Sequence, residues 1–134
     1  MSGVHPSAVI EDGAVIADDC VVGPFCVVGP EVVLAKGVVL KSHVVVTGDT
    51  HIGEDTVIFP FSVIGEIPQD LKFGGEESLA VIGDNVTIRE CVTINRGTIA
   101  SGQTTIGNNC LIMATAHIAH DCHIGDNAII VNGV

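Results

Sequence analysis

The stretch Ala8-Val9-Ile10-Glu11-Asp12-Gly13-Ala14-Val15-Ile16-Ala17-Asp18-Asp19-Cys20-Val21-Val22-Gly23-Pro24-Phe25-Cys26-Val27-Val28 returns a large aliphatic residue at every sixth position: Ile10, Ile16, Val22 and Val28. One residue earlier stands a valine, and two residues earlier a small side chain: Ala8, Ala14, Cys20 or Cys26. Extended in both directions, the phase runs from Val4 to Ile130, and 19 of its 22 positions are Ile, Val or Leu, too many for coincidence. The exceptions are Asp70, Glu76 and Ala100. An α-helix turns about 100° per residue, so six residues rotate it by about 240° and smear the aliphatics over several faces. Six is a multiple of two, which keeps these positions on one side of a strand.

Gly follows many of the aliphatics, as in Gly53-Glu54-Asp55, Gly83-Asp84-Asn85 and Gly107-Asn108-Asn109. Gly and Asn tolerate positive φ, so these are turn residues. Short strands joined by regular turns predict an all-β parallel helix of hexapeptides, a triangular prism with about 18 residues per coil. The pattern resembles the left-handed hexapeptide-repeat β-helix; the left hand follows from that resemblance, since parallel crossovers are generally right-handed. A single domain over residues 1–134 is expected, with loop insertions at 66–80 (EIPQDLKFGGEESLA) and 99–105 (IASGQTT). Loops on a regular scaffold are where function concentrates.

Composition narrows the function. Hydrophobic residues make up 47%, yet there is no Trp or Tyr and there are only four Phe, so aliphatics must fill the core. Five Lys+Arg against sixteen Asp+Glu give a formal charge of −11. That balance opposes nucleic acid, whose affinity comes mostly from neutralised phosphates, and anionic membrane surfaces. No apolar run is long enough for a transmembrane helix, and the first residues lack a signal-peptide pattern. Five cysteines without paired spacing read as reduced core thiols in a cytoplasmic protein. The valines before the aliphatics point outward, more apolar surface than a lone monomer needs, which favours partner subunits.

Three of the six histidines cluster in Ala116-His117-Ile118-Ala119-His120-Asp121-Cys122-His123. In the hexad frame Ile118 and Cys122 point inward, so His117, His120 and His123 lie on the outer surface or at corners. An outward imidazole titrating near 6.5, with a carboxylate to fix its tautomer, suits general-base catalysis. Cys122 occupies the inward small slot and reads as core rather than nucleophile. A three-histidine zinc site shared across subunits is a weaker alternative.

The residues then suggest a family. Gly65-Glu66-Ile67-Pro68-Gln69-Asp70-Leu71-Lys72-Phe73-Gly74-Gly75-Glu76 resembles the active-site loop of the UDP-N-acetylglucosamine O-acyltransferases of lipid A synthesis. Ile88-Arg89-Glu90-Cys91-Val92-Thr93-Ile94-Asn95-Arg96-Gly97-Thr98 and Ala116-His117-Ile118-Ala119-His120-Asp121-Cys122 are similar to two further signatures, and Gly23-Pro24-Phe25-Cys26 and Leu40-Lys41-Ser42-His43-Val44-Val45-Val46 also match. The resemblance implies a homotrimer that moves a 3-hydroxyacyl chain from acyl carrier protein to the glucosamine 3-hydroxyl of UDP-N-acetylglucosamine, without metal or organic cofactor. It makes His120 the general base and Asp121 its support. Gln69 and Asp70 would contact the sugar, while Lys72 and His117 would hold substrate in a cleft between subunits. Asn95 stands where the family often has His, within the substrate-binding set. His123 receives no role. Family members continue for about as long again, with further coils and a C-terminal helical domain absent here, so the chain reads as an N-terminal part, weakly active or inactive alone. Rival readings are the sister N-acyltransferase of the pathway, a non-catalytic trimeric scaffold and a metal-dependent hydratase on the same prism. The QDLK loop favours the O-acyltransferase.

Overall fold

The computed structural model describes residues 3–134, so Met1 and Ser2 of the expected domain lie outside the described residues. It contains nineteen short strands, most of two residues, such as Val9–Ile10, Val15–Ile16 and Val21–Val22. All pairings are parallel and build three sheets of seven, six and six strands. Successive strands visit the first, second and third sheet in turn, which makes each circuit one coil of a triangular prism. Among the described residues no helix is long and apolar enough to cross a membrane.

The hexad aliphatics form the interior ladders. In the first sheet Val22, Leu40, Ile58, Ile88 and Ile112 stack at 0–1% exposure; in the second Val28, Val46, Ile64 and Ile94 are fully buried. Each fully buried side chain of this kind contributes about 1.5–3 kcal/mol. The position two residues earlier also points inward, as expected for Cys20, Cys26, Ser62, Cys110 and Ala116. It is not restricted to small residues: Val32, Val38, Val44, Val86 and Val92 fill it at 0% exposure. Where it bears a hydroxyl, the group donates to a carbonyl, as Thr56 Oγ1 does to Gly83 O at 2.9 Å and Ser62 Oγ to Arg89 O at 2.7 Å. The cysteines are unpaired thiols, but not all are core: Cys20, Cys26 and Cys110 are buried, Cys122 is partly buried, and Cys91 stands exposed at a positive-φ corner. Burial raises the pKa of Cys20 and Cys26 against the pull of backbone hydrogen bonds. The expected outward valines divide by position: Val9 and Val15 are more than half exposed, whereas Val27, Val45 and Val63 are half-buried.

The corners carry positive φ, at Asp19, Asp55, Asn85, Asn109, Asp121 and Asn127 among others. Gly23 is required by close approach: a Cβ there would lie 1.7 Å from the Lys41 carbonyl oxygen one coil away. The corner from the third sheet back to the first is laced by side-chain acceptors, with Glu54 N donating to Asp84 Oδ1 at 2.7 Å and Asp84 N to Asn108 Oδ1 at 2.8 Å. The corner from first to second sheet instead bears a column of rings, Phe25 tilted against His43 and His43 stacked on Phe61, with centroids 5.1 and 5.0 Å apart.

Two irregular stretches interrupt this rhythm, and both leave the prism at the corner between the second and third sheets. The first follows the strand Val63–Glu66 and ends before Leu79–Ile82, so it spans 67–78. The second spans 96–102, because Gln103–Ile106 is already strand. They emerge from consecutive coils, one directly above the other, and His120 sits at the same corner of the next coil.

Candidate active site

His120 and Asp121 occupy a tight corner between the strands His117–Ile118 and His123–Ile124, with Asp121 at φ 62°. This backbone turns both side chains outward and toward the loop above. The Asp121 amide is anchored by donating to Thr104 Oγ1 at 2.9 Å. Oδ1 of Asp121 accepts the Thr98 amide at 2.9 Å, and Oδ2 accepts the Thr98 hydroxyl. Ser101 adds its amide at 3.3 Å and its hydroxyl at 3.2 Å. Burial raises the pKa of this carboxyl, but the hydrogen bonds from Thr98, His120 and Ser101 outweigh it and hold Asp121 far below the ordinary carboxylate value. Asp121 is therefore ionised and accepts only.

That fixes the ring beside it. His120 Nδ1 lies 2.9 Å from Asp121 Oδ2 and must donate, so in the neutral imidazole Nε2 is the bare nitrogen. Nε2 faces Asp70 Oδ2 at 3.7 Å, too far for a hydrogen bond. Both side chains line a cavity of about 240 Å³, together with Lys72, Phe73, Glu76, Thr98, Ile99 and Ala100. Asp70 is held by an Asx turn in which it accepts the Lys72 amide at 3.0 Å. Glu76 ties the two loops together, accepting the Gly74 amide at 2.8 Å and the Ile99 amide at 3.2 Å. Backbone donors, its own among them, lower the pKa of Glu76. A larger pocket of about 550 Å³ shares Glu76 but is lined by Glu31, Asp49, Glu77, Ser78 and Arg96 and contains none of the expected catalytic residues.

The structure thus gathers His120, Asp121, Asp70 and Lys72 at one corner. Gln69 is exposed beside the buried Pro68 and does not line the cavity. His117 stands on the outer face of the second sheet, its Nδ1 2.7 Å from Thr93 Oγ1. Asn95 is 4% exposed, with Oδ1 buried and lacking a partner, at the point where the strand register shifts opposite Glu66. The three clustered histidines do not converge: His117 meets Thr93, His120 meets Asp121, and His123 meets Thr105 and Ser101. Sequence reasoning missed Thr98, Ser101 and Glu76. The hydroxyl-rich run Thr98-Ile99-Ala100-Ser101 was the available signal, since a buried carboxylate needs such donors.

The fold and this corner define a class, the hexapeptide-repeat parallel β-helices. The family described as "GMPPB C-terminal domain" matches residues 4–106, and "Bacterial transferase hexapeptide (six repeats)" matches residues 103–134. An acyl-[acyl-carrier-protein]–UDP-N-acetylglucosamine O-acyltransferase of an Anaeromyxobacter species is 64% identical over 132 residues, covering 98% of this chain and 51% of that protein. A crystal structure of a UDP-N-acetylglucosamine acyltransferase superposes with a TM-score of 0.97 at 44% identity, covering 98% of this chain and 51% of that one. The acyltransferase of Bacteroides fragilis gives 0.96 at 45% identity, with 98% and 51% covered. The prism is accordingly a left-handed β-helix. The chain belongs to the family of the first of these models and is a homologue of the UDP-N-acetylglucosamine O-acyltransferases, matching their N-terminal part. It spans about half the length of the relatives it matches.

Proposed function

We propose that the His120 corner is the base and acceptor site of an O-acyltransferase that moves a 3-hydroxyacyl chain from acyl carrier protein to the glucosamine 3-hydroxyl of UDP-N-acetylglucosamine, the first step of lipid A synthesis. The observation that carries this reading is the His120 Nδ1 contact to an ionised Asp121 at 2.9 Å, with Nε2 left bare on the cavity. Nε2 takes the proton of the sugar hydroxyl as its oxygen attacks the thioester carbonyl. The carbon–oxygen bond forms, the carbon–sulfur bond breaks, and the carrier's sulfur leaves with the proton that the imidazolium returns. Asp121 stabilises that imidazolium. No cofactor enters the step.

Asp70 stands beside Nε2, its Oδ2 3.7 Å away, and is placed to accept a sugar hydroxyl, with Gln69 on the same loop. Lys72 supplies the one cation of the cavity lining, for the diphosphate or the acyl donor. His117 and Asn95 lie outside the cavity in one chain, and their substrate roles belong to a cleft completed by a second subunit of a cytoplasmic homotrimer. The reading is tested in the protein that contains this corner, with acyl carrier protein as donor. His120→Ala lowers kcat by about 10²- to 10⁴-fold, the usual share of a general base, while UDP-N-acetylglucosamine binding changes little. Unchanged kcat overturns it.

A further inference from the structure

We infer that Ser101 and His123 are positioning residues for the His120–Asp121 pair, acting through the Asp121 carboxylate; the inference rests on His120 being the base proposed above. Thr105 and His123 pair directly across adjacent coils of the third sheet, so their side chains stand side by side on its outer face. Thr105 Oγ1 meets His123 Nδ1 at 2.9 Å. The ring is thereby held with Nε2 3.2 Å from Ser101 Oγ. The same Ser101 oxygen lies 3.2 Å from Asp121 Oδ1 and 2.8 Å from the Gln103 carbonyl.

A serine hydroxyl has one hydrogen to give and two lone pairs. Around Ser101 the Gln103 carbonyl, Asp121 Oδ1 and a bare His123 Nε2 compete for that hydrogen. When His123 Nε2 carries its own hydrogen it donates to Ser101 Oγ instead. It then leaves the competition, and a hydroxyl that accepts a hydrogen bond is the stronger donor. His123, Ser101 and Asp121 form a chain that ends on the carboxylate holding the base. Ser101 engages Oδ1, and His120 Nδ1 engages Oδ2. Rotation of the carboxylate would carry Oδ2 away from the imidazole, and the Oδ1 contacts oppose that rotation. Neither Ser101 nor His123 lines the cavity beside His120, so they act on the ring and not on substrate.

The direct readout is the tautomer of His120, followed by ¹⁵N imidazole NMR on the labelled chain. The wild-type chain shows Nδ1 protonated and Nε2 bare. Ser101→Ala and His123→Ala each move His120 toward a mixture of tautomers, and Ser101→Thr, which keeps the hydroxyl, restores the wild-type signal. In the acyl-transfer assay of the protein that contains this corner, each alanine variant lowers kcat by roughly three- to tenfold, the worth of one hydrogen bond, with KM for the sugar nucleotide unchanged. The double variant is no worse than the more severe single one, because both act on one path. A wild-type tautomer signal in both alanine variants overturns the inference, whether or not their thermal midpoint falls. Because NMR reads the ring without turnover, an inert His120→Ala substitution would refute the proposed reaction and leave the positioning result to stand or fall separately.

Discussion

Replacing Asp121 by alanine removes the carboxylate that ties residues 96–102 to the coil beneath. Thr98 is 6% exposed, so water cannot replace the acceptor lost to its amide and its hydroxyl. Ser101 is exposed and His120 is a third exposed, so solvent takes over those contacts and they add little. A hydrogen bond to a charged group is worth about 1.5–3 kcal/mol, which sets the cost of the two stranded donors at about 3–6 kcal/mol. The cost depends on pH in a defined direction. The folded-state pKa of Asp121 lies below its unfolded value, because the Thr98, His120 and Ser101 donors outweigh burial. Its stabilisation is therefore complete above about pH 4 and declines as pH falls toward the folded pKa, by up to about 1.4 kcal/mol per unit. Urea unfolding followed by circular dichroism measures the gap between wild type and Asp121→Ala. We expect the full gap near neutrality and a narrowing one below about pH 4. A neutral-pH cost under about 1 kcal/mol, or a gap that stays flat into the acid range, refutes the reasoning.

Other outcomes follow from the ladders and the surface. Ile112→Ala or Ile118→Ala lowers stability by about 2–5 kcal/mol through lost burial and a cavity, while the half-buried, outward Val63→Ala costs much less; denaturant midpoints separate them. Cys122→Ala keeps wild-type turnover in the acyl-transfer assay, because the thiol packs against the core and a thioester needs no protein nucleophile. Sedimentation equilibrium gives close to three times 13.8 kDa, and a clean monomer removes the intersubunit cleft from the proposal.

The prism was legible because one physical constraint, an aliphatic facing inward on every side, recurs at Ile10, Ile16, Val22 and onward. That His120 lies outside the core, on the surface or at a corner, followed from Ile118 and Cys122 fixing the phase around it. The convergence of the loops on that corner did not follow. Ile64 to Ile82 and Ile94 to Ile106 are 18 and 12 residues, both multiples of six, so the count ran through each insertion without a slip. Asp70, Glu76 and Ala100 marked the two stretches as loops, but the unbroken count said nothing of where on the prism they leave. Only the stacking shows that each stretch is inserted between two intact sides of the triangle and that both leave it at the same corner. Thr98 and Ser101 were hidden for a similar reason. Their partner Asp121 is some twenty residues away along the chain, and the run of hydroxyls from Thr98 to Ser101 does not by itself tell which carboxylate it serves.

The two excursions have a thermodynamic consequence for how such a prism acquires chemistry. Val57 pairs with Val39, 18 residues back, but with Thr87, 30 residues on. Ring-closure entropy grows only with the logarithm of the segment, so widening a circuit from about 18 to about 30 residues costs on the order of 0.5 kcal/mol. That is less than one ordinary hydrogen bond. The Thr98 ties to Asp121 exceed it. Coils above and below keep their register because their strands are set by the ladders, independent of what the chain does outside the corner. A prism of this kind can therefore lengthen, shorten or exchange the segments at this corner while the scaffold barely registers the change.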